Sequence, residues 1–542
     1  MKDETIPLRK DIPAEYKWDL TQLYKTDEEW EADLKKIPSL VKTFASFKGR
    51  LAESSSIFLE ALKADEALDR QIEKVYHYAS LNNEADQGDS SAQEKYSRVM
   101  MAYTAACSET SFFTPELLAI PDEKINSWIE LPEFKDYKIY IQKALHAKPH
   151  ILSEKEERIM ALQSESGQTA SNVFSLLNDV DMNFGTVEVE GKQLPLTHST
   201  WSDFEENQDR NIRKEAYEKF YGVFESHANT LAALYSGSVK NDIFHARARG
   251  YNSSLEAALY GDKVPVSVYK NLIETVHKNL DTLHRYYEIR RKVLGVEELR
   301  HYDVYVPLVK SVKSKISYDE SVEIVRNALA VLGSEYTDTL CGGLKGGWVD
   351  RFENKGKNSG AFSSGCYEGY PYILLNYKDT SLRDVYTMAH EGGHSMHSWY
   401  SVRNNPFMSY EYTIFEAEVA STFNEELVFE YLLKNAKDHE MKKYLLSMRA
   451  NDILATLHRQ TMFAEFELKC HEAVENNEPL STEAIRSIYR KLLEQYFGPA
   501  MKFEKSSDME GLRIPHFYNA FYVYKYSTGI SAALALAKRV VN

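Results

Sequence analysis

The sequence predicts a mainly helical protein with one small β-sheet. Three observations carry that prediction. The 542 residues include only 24 glycines and 15 prolines, below the usual ~7% and ~5%, so few breakers interrupt the chain. Apolar residues recur at three- and four-residue spacing over long stretches, as in "SSSIFLEALKADEALDRQIEKVYHYASL", the period of an amphipathic helix. Two segments depart from that period, one alternating and one rich in glycine.

Composition narrows the function classes. Hydrophobic residues are 43% and charged residues 27%, the balance of a globular protein with a sizeable core. A net charge of −16 repels phosphate backbones, so no nucleic-acid partner is expected. Cys107, Cys341, Cys366 and Cys470 are far apart and form no C-x-x-C pair, which argues against a disulfide framework and a thiolate metal site. The N-terminal stretch is charged and has no apolar centre, unlike a signal peptide. No run approaches 18 apolar residues, so no membrane span is expected. These features together predict a cytoplasmic protein.

In chain order, residues 27–177 read as successive helices. "NFGTVEVEGKQLPLTH" alternates around Glu190-Gly191-Lys192 and predicts a β-hairpin near 184–198. A lobe boundary is placed at its end, giving an N-terminal helical lobe (1–198) and a second lobe (199–542). Helices resume near Gln208. Cys341 to Gly369 holds eight of the 24 glycines and predicts loop and short strand. It lacks the G-x-x-x-x-G-K-[ST] pattern of a phosphate cradle. "YPYILLNY" (370–377) follows as a strand, and Pro371 marks it as an edge or a strand start. An edge strand there, with Tyr372 on it, can pair with an extended peptide.

Ser381-Leu-Arg-Asp384 fits a capping box, so a helix is expected from Leu382 to about Val402, ended by Asn404-Asn405-Pro406. Within it stands "MAHEGGHSMH". His390 and His394 fall about 40° apart on one helix face and one turn apart. Their imidazoles can converge on one ion, and Glu391 can reach a water on that ion. This is the H-E-x-x-H pattern of zinc peptidases. Glycine at 393 lets a second helix or a substrate backbone come close to the metal. His397 lies on the same stripe and is expected to pack beside the ligands. A third ligand is required, and "TIFEAEVASTFNEELVFEYLL" (413–433) offers Glu416, Glu418, Glu425 and Glu426. Glu416 and Glu418 point about 200° apart, and periodicity does not choose between them.

Motifs along nearly the whole chain resemble one family. "RKDIPAEYKWDLTQLY", "ILSEKEERIMALQSESG", "FGTVEVEG", "SGAFSSG", "MAHEGGHSMH", "FEAEVASTFNEEL" and "IPHFYNAFYVYKYSTG" resemble the oligoendopeptidase F branch of the thimet oligopeptidase-like zinc metallopeptidases. The resemblance implies a two-lobed helical fold around a deep channel, a Zn²⁺ ion, and short peptides as substrates. It assigns the third ligand to Glu418 and gives Glu425 the task of orienting a ligand histidine. Gly360, in "SGAFSSG", and Tyr518 and Tyr522 become candidate substrate contacts. Tyr524, and in second place His516, become candidate donors to the oxyanion of a tetrahedral intermediate. The expected function is zinc-dependent endopeptidase, with Glu391 as general base. A zinc exopeptidase and a non-catalytic peptide-binding protein with a structural zinc are the alternatives.

Overall fold

A computed structural model describes residues 6–309 and 315–541. Helix accounts for 70% of it and strand for 4%, so the mainly α prediction holds. Among the described residues, no helix is long and apolar enough to cross a membrane, and all four cysteines are unpaired.

By packing, the described residues form two units. One takes 1–149, 313–435 and 532–542; the other takes 150–312 and 436–531. This differs from the boundary expected at 198. The hairpin there does form, with strands Thr186–Val189 and Lys192–Pro195. Its turn has positive φ at Glu190 (51°) and Gly191 (78°), the backbone twist that two-residue hairpin loops need. But it packs on the Arg210–Ser226 helix that follows it. Phe184, just before the hairpin, stacks on Phe220 at 4.4 Å. The hairpin therefore belongs with the chain after it, and no boundary falls there.

In the first unit, the 31-residue helix Ser55–Ala85 starts at the N-cap Ser54, whose hydroxyl accepts from Ile57 N–H. Its Phe58 stacks with Phe113 at 6.4 Å and Phe134 at 5.9 Å. Trp30 donates its indole N–H to the Val75 carbonyl at 3.0 Å, so even this large ring leaves no orphaned polar atom. The same apolar core reaches Tyr372 and Leu374, which brings it under the small sheet.

That sheet has Tyr372–Leu374 in the middle. Val349–Asp350 runs parallel on one side, and Phe362–Ser364 runs antiparallel on the other. Of the two readings of Pro371, the edge strand is corrected and the strand start holds. Pro371 stands just before the strand, where its missing N–H costs no ladder bond. Tyr372 is fully buried, 6.2 Å from Trp18, and gives its hydroxyl to the Asp19 carbonyl at 3.0 Å. It has no surface to offer a substrate. The two edges are Val349–Asp350, which is buried, and Phe362–Ser364, and Gly360 lies exposed just ahead of the second.

A buried ion cluster ties this sheet together. Lys357 Nζ sits 2.8 Å from Asp350 Oδ1 with both side chains fully buried, and Arg9 closes on the same carboxylate. Lys357 also donates to the carbonyls of Asp350, Phe352 and Leu375. Removing one partner of such a pair typically costs about 3–5 kcal/mol, because the other charge is left buried alone.

The glycine-rich stretch differs from expectation at its start. Cys341 to Lys345 ends the helix Ser334–Lys345. A Cβ at Gly343 would fall inside the Trp348 ring, so this glycine permits close packing, not a loop.

Candidate metal centre

The histidine helix spans Leu382–Asn404, within two residues of the expected end. Its capping box does not form. Ser381 makes no side-chain cap, and the Asp384 carboxylate accepts instead from the Lys378 N–H at 3.3 Å. His390 and His394 rings lie 4.8 Å apart at 83°. Glu391 is buried beside them.

The two glycines in this helix have separate reasons. A Cβ at Gly393 would lie 2.6 Å from the Ala420 carbonyl and 2.7 Å from Ser421 Cα. Only glycine lets the next helix come so near. A Cβ at Gly392 would press on Leu340 at 3.0 Å. The roughly 1 kcal/mol that each glycine costs a helix interior is offset by this helix packing.

The approaching helix, Ile414–Lys434, places the two glutamates differently. Thr413 and Glu416 form a capping box, with the Glu416 carboxylate accepting from Thr413 N–H and Oγ1. Glu416 is therefore occupied at the helix start. Glu418 faces the other way, and its carboxylate joins His390 and His394 in a group whose donor atoms all lie within 4.8 Å of one another. Glu418 Oε2 is 3.7 Å from His390 Nε2. The other nitrogen, His390 Nδ1, bonds Glu425. Asn424 fixes the helix pair by donating to the Ala389 carbonyl at 3.3 Å, and Tyr336 donates to Asn424 Oδ1 at 3.0 Å.

Charge follows from this crowding. Burial and the carboxylates Glu418 and Glu425 push the Glu391 carboxyl up to about 7, against the opposing pull of His390 and the Ser363 N–H. Burial draws His390 down, but its hydrogen bond to Glu425 and the charges of Glu425, Glu391 and Glu418 outweigh it and raise the imidazole to about 9. Burial and the neighbouring imidazoles hold His394 at about 3, so it is neutral. Two imidazoles and a carboxylate are the donor set of a catalytic zinc with one position left for water. The surplus negative charge around His390 is what a divalent cation balances. The residues fit the metal.

Glu425 bonds His390 Nδ1, so its removal should weaken metal binding. Glu425→Ala is expected to lower metal affinity about 10- to 100-fold, the usual worth of such an outer partner. Competition against a calibrated chelator measures it; unchanged affinity would remove Glu425 from the site.

His397 lies outside the donor group. It stacks on Tyr412 at 3.6 Å, and Tyr412 shares a hydrogen bond with Ser398 at 2.7 Å. The sequence reading did not single out Tyr412, Asn424 or the Thr413–Glu416 cap. Only the last carried a signal, the T-x-x-E spacing.

The C-terminal aromatic segment belongs to the second unit. His516 is exposed, and its ring lies 6.4 Å from both Tyr522 and Tyr526, which are 5.6 Å from each other. Tyr524 points the opposite way. It is fully buried against Tyr269 at 5.1 Å. Tyr518 stacks on Phe174 at 4.4 Å.

The family model described as peptidase family M3 matches residues 204–542. The chain belongs to peptidase family M3. A second family model, described as oligopeptidase F, matches residues 116–184. An oligoendopeptidase F homolog from Borreliella burgdorferi is 45% identical over 98% of this chain and 90% of its own. Oligopeptidase PepF of Bacillus subtilis is 40% identical over 100% of this chain and 81% of its own. The crystal structure of oligoendopeptidase-F from Enterococcus faecium superposes with a TM-score of 0.70 at 32% identity, covering 95% and 89% of the two chains. This M3 chain groups with the oligoendopeptidase F proteins and is a metallopeptidase, a hydrolase.

Proposed function

We propose that this chain is a zinc-dependent endopeptidase that cuts internal bonds of short peptides. One observation carries the reading: donor atoms of His390, His394 and Glu418 converge within 4.8 Å beside a buried carboxyl, Glu391. The substrate class is supported by relatives named oligoendopeptidase and oligopeptidase.

His390, His394 and Glu418 would hold the zinc, and Glu425 keeps the proton of His390 on Nδ1 so that Nε2 is free to ligate. When bound, the zinc supplies a Lewis acid for the scissile carbonyl and acidifies the attacking water. Glu391 takes the proton from that water and delivers it to the leaving amine. The Phe362–Ser364 edge is the strand suited to pair an extended peptide backbone. His516 and Tyr522 are the donors proposed for the oxyanion, with Tyr526 beside them; their accessibility favours them over the buried Tyr524.

The test uses a short peptide blocked at both ends. It should be cut internally, a chelator should abolish the cutting, and zinc should restore it. An exopeptidase would leave the blocked peptide intact, and a peptide-binding protein would leave every peptide intact. Full activity in a preparation shown to be metal-free would end the proposal.

A further inference from the structure

The segment that carries His516 and Tyr522 is held from beneath by one acidic side chain. Glu467 lies on the Arg459–Glu475 helix and is fully buried. Its Oε1 accepts a hydrogen bond from the Phe521 backbone N–H at 3.0 Å. Phe521 has a φ of +60°, in the left-handed region that a bulky side chain rarely adopts. The buried bond and the strained backbone fall on the same residue. Strain of this kind persists only where the surroundings hold it.

What the turn achieves is a sorting of side chains. Phe521, Val523 and Tyr524 go inward, none more than 2% exposed. The Phe521 ring packs 4.6 Å from His471 and 5.8 Å from Tyr269. Tyr522 and Tyr526 go outward and meet the exposed His516. With an ordinary negative φ at 521, the chain would leave the turn in another direction and this grouping would be lost.

Packing alone does not explain Glu467. Its Oε2 is buried without a hydrogen-bond partner, which is costly compared with an apolar side chain of similar size. Burial pushes the carboxyl well above the usual range, opposed by the Phe521 N–H and reinforced by Asp242. Asp242 in turn pairs with His471 Nε2 at 3.2 Å, while His471 Nδ1 bonds the Glu467 carbonyl at 2.8 Å. Among the described residues, the one bond to another segment that the side chain makes is to the turn.

We propose that Glu467 is a positioning residue for peptide hydrolysis: through the Phe521 N–H it sets the turn that presents His516 and Tyr522 to the substrate. This rests on the reading of those two side chains as oxyanion donors.

Two substitutions separate acceptor from packing. Glu467→Met keeps the length and removes the acceptor; Glu467→Gln keeps an acceptor oxygen. Glu467→Met should lower kcat about 10- to 100-fold, the effect of displacing a catalytic group by about an ångström. KM and metal content should stay close to their starting values, the split expected when only the transition state loses stabilisation. Glu467→Gln should recover most of the lost turnover. A merely structural role would lower the melting temperature and the folded fraction, and leave kcat per folded, metal-loaded enzyme intact. Glu467→Asp withdraws the carboxyl by one methylene and gives the same readout should the Met variant not fold. His516→Ala and Tyr522→Phe are measured alongside. Full kcat in the Met and Asp variants, with turnover lost in His516→Ala and Tyr522→Phe, overturns the role of Glu467 alone. Full kcat in all four overturns the donor reading and this proposal together. Equal losses in the Gln and Met variants overturn the role of the acceptor.

Discussion

Glu391→Gln is expected to lose about 10² to 10⁴ in turnover, the range a positioned general base supplies, while keeping fold and metal. The amide has nearly the same shape but cannot take a proton. Glu391 is 7% exposed and one residue from His390, and it is not one of the three converging donors. Losing its charge should therefore leave the ligand set intact. Stability should hold or rise. The Glu391 carboxyl is crowded by Glu418 and Glu425, whose charges oppose its ionisation, and a neutral amide removes that conflict. Turnover lost with stability held or raised would fit the usual trade between stability and activity. The check is kcat on the doubly blocked peptide, with metal content and melting temperature measured on the same sample. Near-normal turnover would show that another group moves the proton.

The parts of this protein legible in the sequence are those fixed by local periodicity. The i, i+4 histidines, the helix stop at Asn405-Pro406 and the hairpin at Glu190-Gly191 all depend on a few adjacent residues, and all stand in the structure. Gly393 was legible too, because a glycine one residue before the second ligand has few other reasons to be there; the neighbouring helix at Ala420 and Ser421 supplies the reason. Gly392 was not, since its partner Leu340 comes from a distant helix. The failures share that cause. Ser381 and Asp384 have the right spacing for a capping box, but Asp384 is taken by Lys378. The strand at Tyr372–Leu374 is three residues long, too short to show whether one or both of its edges are paired. The boundary at 198 failed because each packing unit is assembled from separate stretches of chain, and no local pattern records which stretches meet.

The two glutamates at the start of the Ile414–Lys434 helix carry the other large effect. Glu418→Ala should abolish hydrolysis and lower metal affinity by more than the roughly 10- to 100-fold that an outer partner is worth. It removes one of the three converging donor atoms, leaving two imidazoles where a zinc site needs three protein ligands. Glu416→Ala, two residues away, should leave metal affinity and kcat alone. Its carboxylate is turned back onto Thr413 N–H and Oγ1, so its loss is the loss of a cap, worth about 0.5–2 kcal/mol of stability. The pair separates two kinds of damage in one helix. One variant should bind metal poorly, with any change in melting confined to the metal-loaded form. The other should melt earlier with or without metal and still cut peptide. Chelator competition and melting curves in the presence and absence of zinc read both. The reverse pattern, with metal lost in Glu416→Ala and kept in Glu418→Ala, would move the ligand to Glu416. The capping box would then have to open for the site to form.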